Sequence, residues 1–211
     1  MKKEKARVLF EREFKAKAVP LTSSPENEEI ARRLAPNIYQ LQYDIIPWTW
    51  WPPNYPEPGN NPLIEVFWIT YDTDMDGEVD TIEYTLAFKD EDYPLSPDID
   101  HIYDLYRYSE YGRFVDLETF YVYIDKTTYG EIYHAWFSGS YSGNQSYLVI
   151  KPDHLDGCET YFKIIYVNTW NHLMSSEKDN NPNQPKKIWT LSEYLFTYGD
   201  HNAANSKYQG Q

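Results

Sequence analysis

The 211-residue sequence predicts a mainly β fold, an antiparallel β-sandwich or jelly-roll-like arrangement with one or two short helices. Three observations carry this. Alternating or β-branched and aromatic segments recur at 64–71, 81–88, 113–125, 130–137, 147–151, 160–170 and 188–198. Turn-forming residues separate them, as in Ser142-Gly143-Asn144 and Asp153-His154-Leu155-Asp156-Gly157. Aromatic residues make up 18% of the chain, with 21 Tyr and 7 Trp, at a mean hydropathy of −0.71. A chain so rich in large rings folds around them, and much of its apolar area carries a polar handle.

In chain order, residues 6–19 alternate with one flaw, Arg12: Ala6, Val8, Phe10 and Phe14 stand on one face, and Arg7, Glu11, Glu13 and Lys15 on the other, with a helix as the alternative because Phe10, Phe14 and Ala18 fall at spacing four. This reads as an N-terminal amphipathic strand or arm that Pro20 ends. Ser24-Pro25-Glu26 then offers an N-cap, a proline at the first helical position and an acid in the first turn, with Arg32 and Arg33 at the far end. The expected helix is Pro25 to Leu34. Strand-like alternation returns over 38–46. The stretch from Trp48 to Gly59 holds four prolines, which fix φ and remove donors, so it is expected to run as an extended loop. Its rings Trp48, Trp50, Trp51 and Tyr55 are candidates for a ligand or partner surface, with a lid packed across the core as the plainer reading.

Residues 72–83 state a chemistry. Carboxylates at Asp72, Asp74, Asp76, Asp80 and Glu83, with Gly77 at the sixth position and Val79 at the eighth, repeat the spacing at which oxygen ligands close around a hard divalent cation. The stretch resembles the EF-hand calcium loop, and the resemblance covers these twelve residues alone. It implies side-chain oxygens from Asp72, Asp74 and Asp76, a backbone carbonyl from Glu78, a direct or water-mediated contact from Asp80, a bidentate carboxylate from Glu83, and Ca²⁺ as the ion. The flanks depart from the family. Ile64 to Tyr71 and Thr81 to Phe88 read as strands, so the loop is expected between two strands, without the helix pair whose opening makes a switch. A structural or adhesive role for the ion follows.

Ser96-Pro97-Asp98 starts a second expected helix near Asp98 to Tyr108, where Asp98, Asp100 and Asp104 form either a solvated helix start or a second ion site. Residues 177–187 read as a polar loop and 200–211 as a flexible tail, leaving 20–199 as a single β-rich domain.

Charge narrows the partners. Nineteen basic against thirty-three acidic residues give −14, which argues against nucleic acid and anionic membrane surfaces, and no stretch is long and apolar enough for membrane insertion. A protein or carbohydrate surface is the expected partner, with homo-oligomers through residues 6–19 as a second possibility. Cys158 is the only cysteine, so neither an intrachain disulfide nor a cysteine zinc cluster can form. No signal peptide is read at the N-terminus, while a calcium loop suits an extracellular or virion setting; the location stays open. Catalytic patterns are wanting: Gly139-Ser140-Tyr141-Ser142-Gly143 has tyrosine where a nucleophile elbow needs serine, and the five histidines lack zinc-hydrolase spacing. No catalytic residue is assigned. The expected function is a calcium-binding, aromatic-rich β module for binding or adhesion. The alternatives are a filament or virus-particle subunit assembling by N-terminal strand exchange, and a carboxylate-based hydrolase.

Overall fold

A computed structural model describes residues 17–45, 60–93, 97–141, 143, 145–147 and 154–211. Among them run β1 (Val19–Pro20), α1 (Pro25–Leu34), β2 (Asn37–Leu41), α2 (Gln42–Ile45), β3 (Leu63–Asp72), β4 (Thr81–Phe88), α3 (Pro97–Tyr111), β5 (Asp116–Thr127) and β6 (Gly130–Tyr141). Then follow β7 (Leu155–Thr160), β8 (Ile164–Val167), β9 (Met174–Ser175), β10 (Lys186–Trp189), β11 (Leu195–Tyr198) and α4 (His201–Tyr208). The mainly β expectation holds. The strands form one curled sheet in the order β1-β3-β4-β5-β6-β9-β8-β2-β10, with β11 also on β3 and β7 also on β6. One refinement is needed: β3–β11, β2–β8 and β6–β9 pair in parallel, the rest antiparallel.

Long antiparallel ladders join β3, β4 and β5. Alternation puts Ile82, Tyr84, Leu86 and Phe88 of β4 on the inner face, where they meet Val66, Trp68, Phe120, Val122 and Phe137 in the main core. The other face of β4 is buried too, because Ala87 and the neighboring Phe67 pack against Ala204 and Tyr208 of α4. This corrects the flexible tail expected at 200–211. Asp200 caps α4 by accepting from the Ala203 N–H at 2.8 Å, and Tyr208 donates its hydroxyl to buried Glu65 at 2.5 Å. The segment holds few large apolar residues, so its helical state comes from docking on the sheet.

Helix α1 forms as its termini predict. Ser24 Oγ accepts the Asn27 N–H at 3.1 Å, and Arg32 pairs with Glu28 one turn back at 2.7 Å. Its C-terminal carbonyls, which have no partner within the helix, are met by the core. The hydroxyls of Tyr84 and Tyr161 donate to the carbonyls of Ala31 and Leu34, each at 2.7 Å, and Tyr194 donates to that of Pro36 at 2.9 Å. The tyrosine-rich composition thus fills the core and closes a helix end at once.

Two expectations shift. The strand expected over 38–46 stops at Leu41, where a helical turn begins, and the turn expected at 153–157 gives way to β7 from Leu155. Of the N-terminal strand, residues 6–16 lie outside the described residues; Val19 and Pro20 pair with Asp72 and Tyr71 at the edge of β3. Among the described residues no helix is long and apolar enough to cross a membrane.

Candidate metal centre

The acidic stretch is the connection between β3 and β4, as the strand-like flanks required. Tyr71 pairs with Thr81, and the Asp80 N–H donates to the Tyr71 carbonyl at 3.0 Å, closing the hairpin beneath the loop. Asp72, the last residue of β3, organizes the turn. Its Oδ1 accepts the N–H groups of Asp74 at 3.2 Å and Met75 at 2.6 Å, and its Oδ2 accepts that of Gly77 at 2.7 Å. Asp74 and Asp76 repeat the device two residues on, accepting from Asp76 at 3.1 Å and Glu78 at 2.8 Å. Gly77 has φ +89° with nothing within 4 Å of a built Cβ, so it is the backbone angle, and not crowding, that calls for glycine.

This arrangement brings three predicted ligands together. Carboxylate oxygens of Asp72, Asp74 and Asp80 lie within 4.8 Å of one another. Two oxygens on one Ca²⁺ stand at most about twice 2.4 Å apart, so the trio fits the oxygen shell of a single calcium ion. The electrostatics agree. Asp74 is exposed and accepts a backbone hydrogen bond that favors its anion, yet slight desolvation and the carboxylates of Asp80, Asp76 and Asp72 push its pKa up. For Asp72, burial works against the anion, but the amides of Gly77 and Met75 prevail and hold its pKa down. The loop is thus built to carry charge that repels itself, which a cation would relieve.

The other predicted ligands stand apart. Asp76 and Glu78 are exposed, and Glu78 pairs with Lys126 at 2.5 Å. Glu83 is a correction. It pairs with Ile69 while Tyr71 pairs with Thr81, so strand alternation puts its side chain on the face of Tyr71, opposite that of Asp72. There Glu83 is buried, accepts the Tyr71 hydroxyl at 2.9 Å and the His201 N–H at the start of α4 at 2.7 Å, and is raised in pKa by that burial. In an EF-hand the exit helix returns the twelfth residue to the ion; here a strand carries it away. Trp48, Trp50, Trp51 and Tyr55 lie outside the described residues.

A second polar assembly lies under α3, and the sequence did not point to it. His172, fully buried, sets Nδ1 at 2.8 Å from Asp116 Oδ2 and Nε2 at 3.1 Å from Asp44 Oδ2, with its ring stacked on Phe88 at 4.0 Å. Asp44 also accepts from Gln40, Asn61 and Tyr147. A ring with a carboxylate oxygen at each nitrogen is placed to carry both protons, which favors the imidazolium form of His172. Burial disfavors that charge, but Asp44 and Asp116 outweigh it and raise the pKa well above the usual value. Arg107, 2% exposed, meets Asp116 at 2.9 Å, Asp90 at 3.3 Å and Glu91 at 3.4 Å. Asp44 and His172 are 128 positions apart, a separation that no local pattern reveals.

Compared with protein-family models, with curated proteins and with solved structures, the chain finds no match. The fold and the loop define it only as a mainly β protein carrying a possible metal-binding group.

Proposed function

We propose that the protein is a calcium-binding β module that serves recognition rather than catalysis, in which one Ca²⁺ sits in the β3–β4 turn and pins these two strands. The observation that supports it is the trio Asp72, Asp74 and Asp80 within 4.8 Å, on a turn already held by three amides bonded to Asp72. With Glu83 turned away, the ion has three side chains, backbone carbonyls and water, a set short of a full EF-hand shell. Such a site belongs at the weak end of calcium loops, about 10⁻⁴ to 10⁻³ M, where extracellular modules work. A strand-loop-strand lacks the opening helices of a sensor, so the ion stabilizes rather than switches. Carbohydrate or protein surfaces are the partners this reading favors.

Titration calorimetry with Ca²⁺ and Mg²⁺ tests it. One Ca²⁺ per chain is expected, binding more tightly than Mg²⁺, and Asp72→Ala should abolish the heat. Undetectable heat at several millimolar Ca²⁺, or equal binding by Asp72→Ala, refutes the proposal.

A further inference from the structure

We propose that the cleft between α3 and α4 is a binding site for an organic cation, an ammonium or guanidinium group, which Glu118 meets. The cleft holds about 580 Å³, room for a polyamine or a basic side chain. Its existence follows from the sheet. The β5–β6 ladder runs from Thr127 and Gly130 only as far as Phe120 and Phe137, so residues 116–119 at the start of β5 pair with β4 alone. Over that open edge α3 forms one wall and α4 the other.

The charges in and behind the floor do not balance. Asp44, Asp90, Glu91, Asp116 and Glu118 are five carboxylates, and His172, Arg107 and Arg113 are the three cations set among them. His172 is committed to Asp44 and Asp116, and Arg107 to Asp90, Glu91 and Asp116. Arg113, also buried and within electrostatic reach of Asp116 and Glu118, gives its hydrogen bonds to Asn205 and to the Val115 carbonyl. Glu118 stands on the same face of β5 as Asp116, partly buried, and its carboxylate accepts no hydrogen bond from the described residues. Burial first, and then Asp116 and Glu91, push its pKa well up, which favors binding of a proton there. A ligand cation would compete with that proton. On the α3 wall, Tyr103 and Tyr111 already stand under the guanidinium groups of Arg107 and Arg113, at 5.9 and 5.5 Å, while Tyr106, 57% exposed, adds a ring of the kind that attracts ammonium and guanidinium groups. A bare metal ion needs neither the volume nor the rings.

The site is independent of the calcium loop, and the test keeps them apart. Spermidine and the tripeptide Gly-Arg-Gly, which offer ammonium and guanidinium groups respectively, are titrated into the full chain in calcium at physiological salt. Saturable one-to-one binding of at least one is expected, weakened at least tenfold in Glu118→Gln and unchanged in Asp72→Asn. Because the proton and the ligand compete for Glu118, among Glu91, Glu110, Asp116, Arg107, Arg113, His172, His154 and His201, affinity should rise from pH 6 to pH 8. Glutamine matches the protonated acid in shape, and circular dichroism checks its fold. Tyr106→Ala, at an exposed position, gives a second reading with a severalfold loss expected. The proposal is overturned by any of four results: no saturable binding of either probe, equal binding by Glu118→Gln, equal binding by Tyr106→Ala, or binding that only Asp72→Asn removes.

Discussion

His172 is held in a left-handed backbone conformation, φ 55°, with both ring nitrogens on carboxylates and no exposure to solvent. Backbone strain of this kind costs about 1–3 kcal/mol and persists only where the surroundings impose it. Here Asp44, Asp116 and the Phe88 ring do so. Removing one partner leaves a buried charge without compensation, so His172→Ala or Asp116→Asn should cost about 3–5 kcal/mol in urea denaturation. A loss under about 1 kcal/mol means the ion pairs are not formed. Titration gives a second handle. Burial foremost, with neighboring carboxylates, raises Glu91 and Asp104 to about 7 and Asp100 to about 8. Between the unfolded carboxylate pKa, about 4, and these values the folded state binds more protons, so stability falls as pH rises through that window. His172, also raised, adds to the fall above about 6.5. Asp116 has the opposite sign. Burial opposes its anion, but Arg107 and His172 lower it to about 2, so its contribution is lost as pH falls below about 4. The melting temperature in chelator should therefore be higher at pH 5 than at pH 8; a flat profile over that interval is the contrary result.

Secondary structure elements in this chain are closed by side chains from other elements. The end of α1 depends on hydroxyls from β4, from Tyr161 after β7 and from Tyr194 before β11. Tyr84→Phe removes one donor and leaves the buried Ala31 carbonyl unmet, at about 1–3 kcal/mol by denaturant titration. A neutral outcome there means water replaces the hydroxyl. Glu83 plays a related part at the other end of the chain, where it receives the first N–H of α4 from within the sheet and places negative charge at a helix N-terminus. Glu83→Gln should therefore lower the melting temperature equally in calcium and in chelator. A loss confined to calcium restores Glu83 as a ligand and counts against the strand geometry. Truncation after Gly199 uncovers Phe67 and Ala87 and should likewise destabilize without regard to calcium.

Across the whole molecule, what could be read in advance was what is local. The helix from Pro25 to Leu34 and the strands on either side of the acidic loop follow from caps, alternation and β-branching over a few residues. The loop trio follows from spacing, and Glu83 was misassigned although the alternation of Thr81, Glu83, Thr85 and Ala87 already set it on a separate face. What could not be read depends on closure of the sheet. Helix α4 exists because Ala204 and Tyr208 find Phe67, and the assembly of Asp44, His172, Asp116 and Arg107 because three distant stretches of the chain converge. The central claim is that an ion bound in one turn tightens the β3–β4 hairpin. Thermal unfolding of the wild type and of Asp72→Ala, each in saturating calcium and in chelator, tests it most directly. At a hundred times the dissociation constant the ion adds about 2.7 kcal/mol, or about 5 to 10 °C for a chain of this size, to the wild type alone. Identical melting temperatures of the wild type in calcium and in chelator contradict the claim.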